Sequence, residues 1–112
     1  MINNKKILIT GCYGFLAQHL THHLISNNNI VYGIYNKKYQ KLIFDFNYSI
    51  KKNKLKIFKI DIQDNIKVKN FLSKNKFDYC FHLAAISQVL DSNINPRKTF
   101  DTNFMGTLNL LE

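Results

Sequence analysis

Acidic residues are scarce in this chain: 7 Asp and Glu stand against 16 Lys and Arg, a formal net charge of +9 over 112 residues. The positive charge is almost all lysine, with Arg97 the single arginine, and the lysines are scattered among Asn and Ile rather than gathered into a stripe. Scattered charge of this kind reads as solvated surface and compositional bias. It attracts anionic nucleotides in a general way but comes with no nucleic-acid recognition motif. Cysteine is limited to Cys12 and Cys80, with no metal-ligand spacing, so both are expected as reduced thiols. Cys12 stands at the start of a helix, where a thiolate is favoured. A reactive thiol and a tolerated variable position are its two readings. His19, His22, His23 and His82 have no Cys, Asp or Glu beside them at ligand spacing, so no metal site is expected. Long apolar runs are missing too. None approaches the length that spans a bilayer, and no charged-then-apolar leader precedes the first strand, so the chain reads as soluble and cytoplasmic.

What the chain has is enough apolar residue, 46% with 13% aromatic, to build the core of one domain or part of one. The informative stretch is Lys6 to Leu20. An apolar run, Ile7 to Ile9, stops at Thr10-Gly11, and Leu16, Leu20 and Leu24 then recur at helical spacing. Strand, tight turn and helix follow in that order. Gly11 permits backbone angles a side chain forbids, and Gly14 lets the chain approach a ligand closely, where the first amides of the helix and its dipole attract an anion. Small Ala17 suits close packing of that helix on the sheet.

The spacing Gly11-x-x-Gly14-x-x-Ala17, with Thr10 before it and Phe15-Leu16 within it, resembles the Thr-Gly-x-x-Gly-Phe-x-Gly signature of extended short-chain dehydrogenases/reductases, the nucleotide-sugar epimerase/dehydratase family. Ala17 replaces the last glycine. The resemblance implies that Gly11, Tyr13, Gly14, Phe15 and Leu16 face a dinucleotide.

Further segments fall in the family's order. Ile30 to Tyr35 reads as a second strand, at whose end an acid would hold the ribose hydroxyls of NAD. Tyr35 stands there instead, followed by Asn36, Lys37 and Lys38, either a site for the extra phosphate of NADP or ordinary surface lysines. Between 39 and 53, Leu42, Ile43, Phe46 and Ile50 fit one face of a short helix. Leu55 to Ile60 reads as a third strand closing in Asp61-Ile62, which by resemblance hold the adenine; Asp61 as the cap of the next helix is the alternative. Asp64 begins a helix with Ile66, Val68, Phe71 and Leu72 on or near its buried side. A fourth strand, Asp78 to Leu83, runs into Ala84-Ala85, which with Leu83 resembles the family's cofactor-lining Phe-His-Leu-Ala-Ala segment; Ser87 and Ser92 beyond it either touch cofactor and sugar nucleotide or make ordinary loop turns. The run from Ser87 through Ser92 to Pro96 is similar to members acting on GDP-sugars, including GDP-mannose 4,6-dehydratases. The last helix, with Asn103 and Gly106, is similar to one that pairs in a homodimer.

The expected fold is α/β, a Rossmann-type doubly wound parallel sheet in strand order 3-2-1-4, with residues 1–112 the N-terminal part of an NAD(P)-binding domain and the substrate domain absent. The implied activity is nucleotide-sugar epimerisation, dehydration or reduction by transient or net hydride transfer, with NADP placed ahead of NAD. The family's Ser/Thr and Tyr-x-x-x-Lys catalytic residues are expected beyond this chain, so none is assigned within it; Tyr48 and Lys52 share that spacing by coincidence. An inactive remnant or a non-catalytic NAD(P)-binding module is the alternative. The isolated piece is expected to expose a sheet edge and to be weakly stable.

Overall fold

The computed structural model describes residues 2–36 and 42–83. Strands and helices alternate within them: β1 (Lys6–Thr10), α1 (Phe15–Ser26), β2 (Ile30–Tyr35), α2 (Asn47–Lys51), β3 (Leu55–Lys59), α3 (Asn65–Lys74) and β4 (Tyr79–His82). The four strands form one parallel sheet in the order β3-β2-β1-β4, the expected Rossmann-type arrangement. The chain steps outward from β1 to β2 and β3, then returns past β1 to lay down β4.

β1 has the apolar run of a strand covered on both faces. Alternate side chains serve different cores. Ile7 and Ile9 pack with Ala17, Leu24, Val31 and Leu55, while Leu8 packs with Tyr32, Ile34 and Ile62. Phe71 and Leu72 of α3 close over the second cluster, and the Tyr32 ring lies 5.2 Å from that of Phe77.

The helices depart from the simple apolar reading in three places. In α1 the buried residues are Ala17, Gln18, Thr21 and Leu24, whereas Leu16 is 65% exposed. Ala17 is the residue small enough for the close approach, and the stripe runs from it at steps of four and three, leaving Leu16 to one side. Thr21 is accommodated there because its hydroxyl donates to the Ala17 carbonyl at 2.7 Å. In α3 Val68 is buried and Ile66 exposed, since a step of two residues carries a side chain to the opposite side of a helix. α2 is confined to five residues. The Asp45 carboxylate accepts from the Asn47 N–H and makes a turn ahead of it, so Leu42 and Ile43 lie outside the helix.

Asn27, Asn28 and Asn29 end α1 by three different means. Asn27 is the C-cap, with its side-chain amide donating to the His23 carbonyl at 2.9 Å. Asn28 takes the left-handed conformation, φ 63°, which Asn tolerates better than other side chains. Asn29 is fully buried: its amide donates to the carbonyls of Leu24 and Ile2, and its oxygen accepts from the Lys5 N–H. It fastens the end of α1 and the start of β2 to the residues leading into β1. Asn29→Ala therefore takes the side-chain partner from the Lys5 N–H and the Ile2 carbonyl, as well as one of several bonds to the Leu24 carbonyl, and is expected to lower stability by about 2–4 kcal/mol in urea unfolding. A loss under about 1 kcal/mol would show the groups satisfied otherwise.

Candidate functional site

The carboxyl ends of the four strands line one end of the sheet, and the residues singled out in the sequence fall along it in strand order. Asp61 follows β3, Asn36 follows β2, Gly11 follows β1 and Leu83 follows β4. Three strand spacings make this row about 14 Å long. It is a continuous edge rather than a pocket, and it runs past the place where the chain's direction of winding reverses, between β1 and β4.

The β1–α1 turn is the centre of the row. Gly11 has φ 65°, a left-handed conformation that selects for glycine. The Gly14 N–H donates to the Gly11 carbonyl at 3.0 Å, and Gly14 then serves as N-cap of α1 with no side-chain capping bond. A Cβ on Gly14 would lie 3.3 Å from the Gly11 oxygen, so the turn has little room for a side chain there. With no capping side chain and no acid in its first turn, the α1 N-terminus presents main-chain donors and a positive dipole end to an anion. Phe15 and Leu16 are exposed beside it.

Cys12 is not a reactive thiol. It is buried, and burial pushes its thiol up to about 12, far from the thiolate that a helix N-terminus alone favours. Gly33 of β2 packs against it: a Cβ on Gly33 would come within 2.8 Å of the Cys12 Cβ and 2.9 Å of its Sγ. The turn and β2 fit because one of the pair is glycine.

Thr10 joins the turn to β4. Its side chain is fully buried, its hydroxyl accepts from the Leu83 N–H at 2.9 Å, and it lies 2.8 Å from His82 Nδ1. The Thr10 hydroxyl can donate to an unprotonated Nδ1 or accept from a protonated one, so the tautomer of the ring sets the direction of this bond. Burial lowers the His82 pKa, favouring the neutral ring. The sequence gives no sign of this link, because the partners are 72 and 73 residues apart.

At the end of β2, Tyr35 packs its ring edge-on against Tyr13 at 4.8 Å, and Asn36 is exposed after it. Asp61 accepts from the Gln63 N–H at 2.9 Å and is not the cap of α3; that is Asp64, which accepts from the Lys67 N–H at 3.1 Å. Ile62 is 4% exposed, so its side chain supports the position from the core rather than offering an aliphatic face. Tyr48 lies exposed on α2, with Lys52 Nζ over its ring rather than at its hydroxyl, 5.8 Å from the centroid. Lys37, Lys38, Ala84, Ala85, Ser87, Ser92, Asn103 and Gly106 lie outside the described residues. Among the described residues no group of three His, Cys, Asp or Glu is placed to hold a metal ion, and no helix is long and apolar enough to cross a membrane.

A family model described as GDP-mannose 4,6 dehydratase matches residues 8–112. The chain belongs to the NAD-dependent epimerase/dehydratase family. Among family members it is 30% identical to a UDP-glucose 4-epimerase of Pisum sativum over 98% of its length and 33% of the relative's. It is 33% identical to a dTDP-D-glucose 4,6-dehydratase of Dictyostelium discoideum, over 99% of the chain and 27% of that protein. Its fold matches a UDP-glucose 4-epimerase of Thermotoga maritima, solved with UDP-glucose, at TM-score 0.80 and 30% identity, covering 95% of this chain and 32% of that one. The chain thus spans about a third of the length of these family members.

Two outcomes follow from the packing of the turn and the Thr10 link. Gly33→Ala is expected to destabilise by about 1–3 kcal/mol, although alanine ordinarily suits a strand better than glycine. Adding Cys12→Gly should recover most of the loss, and a double-mutant cycle with no coupling would contradict the contact. For His82, the folded pKa lies below an ordinary imidazole's 6.5, so the unfolded chain takes up the proton first as pH falls. Its contribution to stability is complete above pH 6.5 and is lost as pH drops from there toward the lowered value. Urea midpoints at pH 7.5 and 5.5 should therefore differ more for the wild type than for His82→Gln.

Proposed function

We propose that the chain is the N-terminal, NAD(P)-binding part of an enzyme that epimerises, dehydrates or reduces a nucleotide sugar by transient or net hydride transfer at a sugar carbon. The observation that carries this reading is the β1–α1 turn: a left-handed Gly11 and an uncapped helix N-terminus at the carboxyl end of the central strand, in a chain of the epimerase/dehydratase family. Gly11 and Gly14 shape the turn around the pyrophosphate, with Tyr13, Phe15 and Leu16 beside it and the first amides of α1 facing it. Asp61 takes the adenine amino group, Ile62 backs it from the core, and Leu83 with Ala84, Ala85 and Ser87 lines the nicotinamide side. When bound, the nicotinamide supplies the hydride acceptor and donor. The acid/base residues belong to the remainder of the enzyme, outside this chain.

The substrate class is a hexose carried on a nucleoside diphosphate. The family model's description favours GDP-mannose, whereas the curated relatives are named for UDP-glucose and dTDP-glucose. A soluble cytoplasmic homodimer is the assembly that goes with this reading. NADP is placed ahead of NAD because Tyr35, not an acid, ends β2 and Asn36, Lys37 and Lys38 follow it.

Titration of the full protein carrying this chain with NADPH and NADH tests both points. NADPH is expected to bind more tightly, and equal or tighter NADH binding would reverse the cofactor assignment. Gly11→Ala should weaken both dinucleotides at least about tenfold, since a Cβ is strained at that φ. Binding without hydride transfer to any nucleotide sugar would instead favour a non-catalytic module.

A further inference from the structure

Gln18 lies in the first half of α1 with 1% of its surface exposed, a long polar side chain where the packing of helix on sheet would ordinarily place an apolar one. Its amide is engaged at both ends. Nε2 donates to the Tyr13 carbonyl at 3.0 Å, and Oε1 accepts from the backbone N–H of Ile43 at 2.8 Å, 25 residues further along the chain.

The first bond acts on a single peptide plane. The Tyr13 carbonyl and the Gly14 N–H belong to one rigid planar unit and point in opposite directions. The Gly14 N–H is bonded to the Gly11 oxygen, so with Gln18 on the carbonyl both sides of that plane are held. A peptide fastened on both sides does not flip, and α1 starts from a fixed orientation. The second bond acts on the chain beyond β2. Tyr35, the last residue of β2, packs on the Tyr13 ring, and Ile43 is tied to the same Gln18 that holds the Tyr13 carbonyl. Tyr35 and Ile43 are therefore both tied to the turn, one by the Tyr13 ring and the other through Gln18.

We propose that Gln18 is a positioning residue for the dinucleotide: it locks the anion-facing turn to the segment returning from the adenosine-ribose end, so that the two parts of the site are set together. This rests on the cofactor reading above. Neither bond touches the cofactor; the effect passes through the Tyr13–Gly14 peptide and the Ile43 main chain.

The test uses the full protein carrying this chain. Gln18→Met keeps the length and bulk of the side chain and removes both bonds. Amide hydrogen exchange at Gly14 and Ile43 is measured without ligand, and NADPH affinity is measured per folded molecule. Exchange at both amides should quicken while the β1 amides keep their protection, and affinity should fall about tenfold. Gln18→Glu separates positioning from bulk stability. Its carboxylate accepts from Ile43 but has no proton for the Tyr13 carbonyl, whereas the protonated acid has one. Affinity of this variant, relative to wild type at each pH, should therefore recover as the pH is lowered. Unchanged exchange at Gly14 and Ile43 in Gln18→Met overturns the link whether or not dinucleotide binds. Faster exchange with unchanged affinity overturns the positioning role. A wild-type protein that binds no dinucleotide overturns the cofactor reading and the role built on it, while exchange alone still decides whether the link exists.

Discussion

The hydroxyl of Thr10 is buried at the end of a strand that has no solvent on either face, and a polar atom in that position has to be satisfied from within the protein. Its partners are the Leu83 N–H and the ring of His82. That requirement sets the level at which β4 lies beside β1, because Thr10 pairs with His82 in the register of the two strands. It also brings the end of β4 against the glycine turn that starts one residue after Thr10. Thr10 thus holds the end of β4 to the end of β1 where the winding reverses, while the apolar core packs the faces of the strands.

The same logic operates at the other end of the sheet. Asn29 bonds three main-chain groups around the start of β1, and Gln18 bonds two around its exit. Between them β1 is aliphatic from Ile7 to Ile9. A buried amide that bonds main chain fixes direction as well as distance, and one left without partners costs more than an apolar substitute gains. Such residues hold the two ends of the strand by main-chain bonds, as Ile7, Leu8 and Ile9 hold its middle by apolar burial.

Much of the architecture was legible in the sequence for the reason that parallel strands are buried on both faces: Ile7 to Ile9 and Ile30 to Ile34 stand out as apolar runs, and the intervening helices dictate crossover connections. The glycine turn was legible because it is made of main chain, so its requirements appear as missing side chains at Gly11 and Gly14. The packed face of α1 was legible only in part, at Ala17 and Leu24. Leu16 advertises itself by hydropathy, yet the sheet takes Ala17, Gln18 and Thr21, whose polar atoms are satisfied by bonds to main-chain groups. Nothing local in the sequence announces a bond from Gln18 to Ile43. The Cys12 contact was hidden for a related reason: it depends on the absence of a side chain at Gly33, in another strand.

A site built of main-chain donors has a consequence for discrimination. Backbone amides and a helix dipole recognise a pyrophosphate and nothing attached to it, so the turn is blind to the rest of the dinucleotide. It tolerates Cys12 and Ala17 because neither alters the path of the chain at Gly11 or Gly14. Selectivity between one cofactor and another must come from side chains elsewhere along the row. At the end of β2 the Tyr35 ring is already committed to Tyr13. On the proposed cofactor reading the choice falls on the residues after Tyr35, beginning with the exposed Asn36, while Tyr13 packs on Tyr35 before that stretch and Gln18 holds Ile43 after it. On that reading affinity falls to main chain and selectivity to side chains, the two joined through a buried amide that belongs to neither.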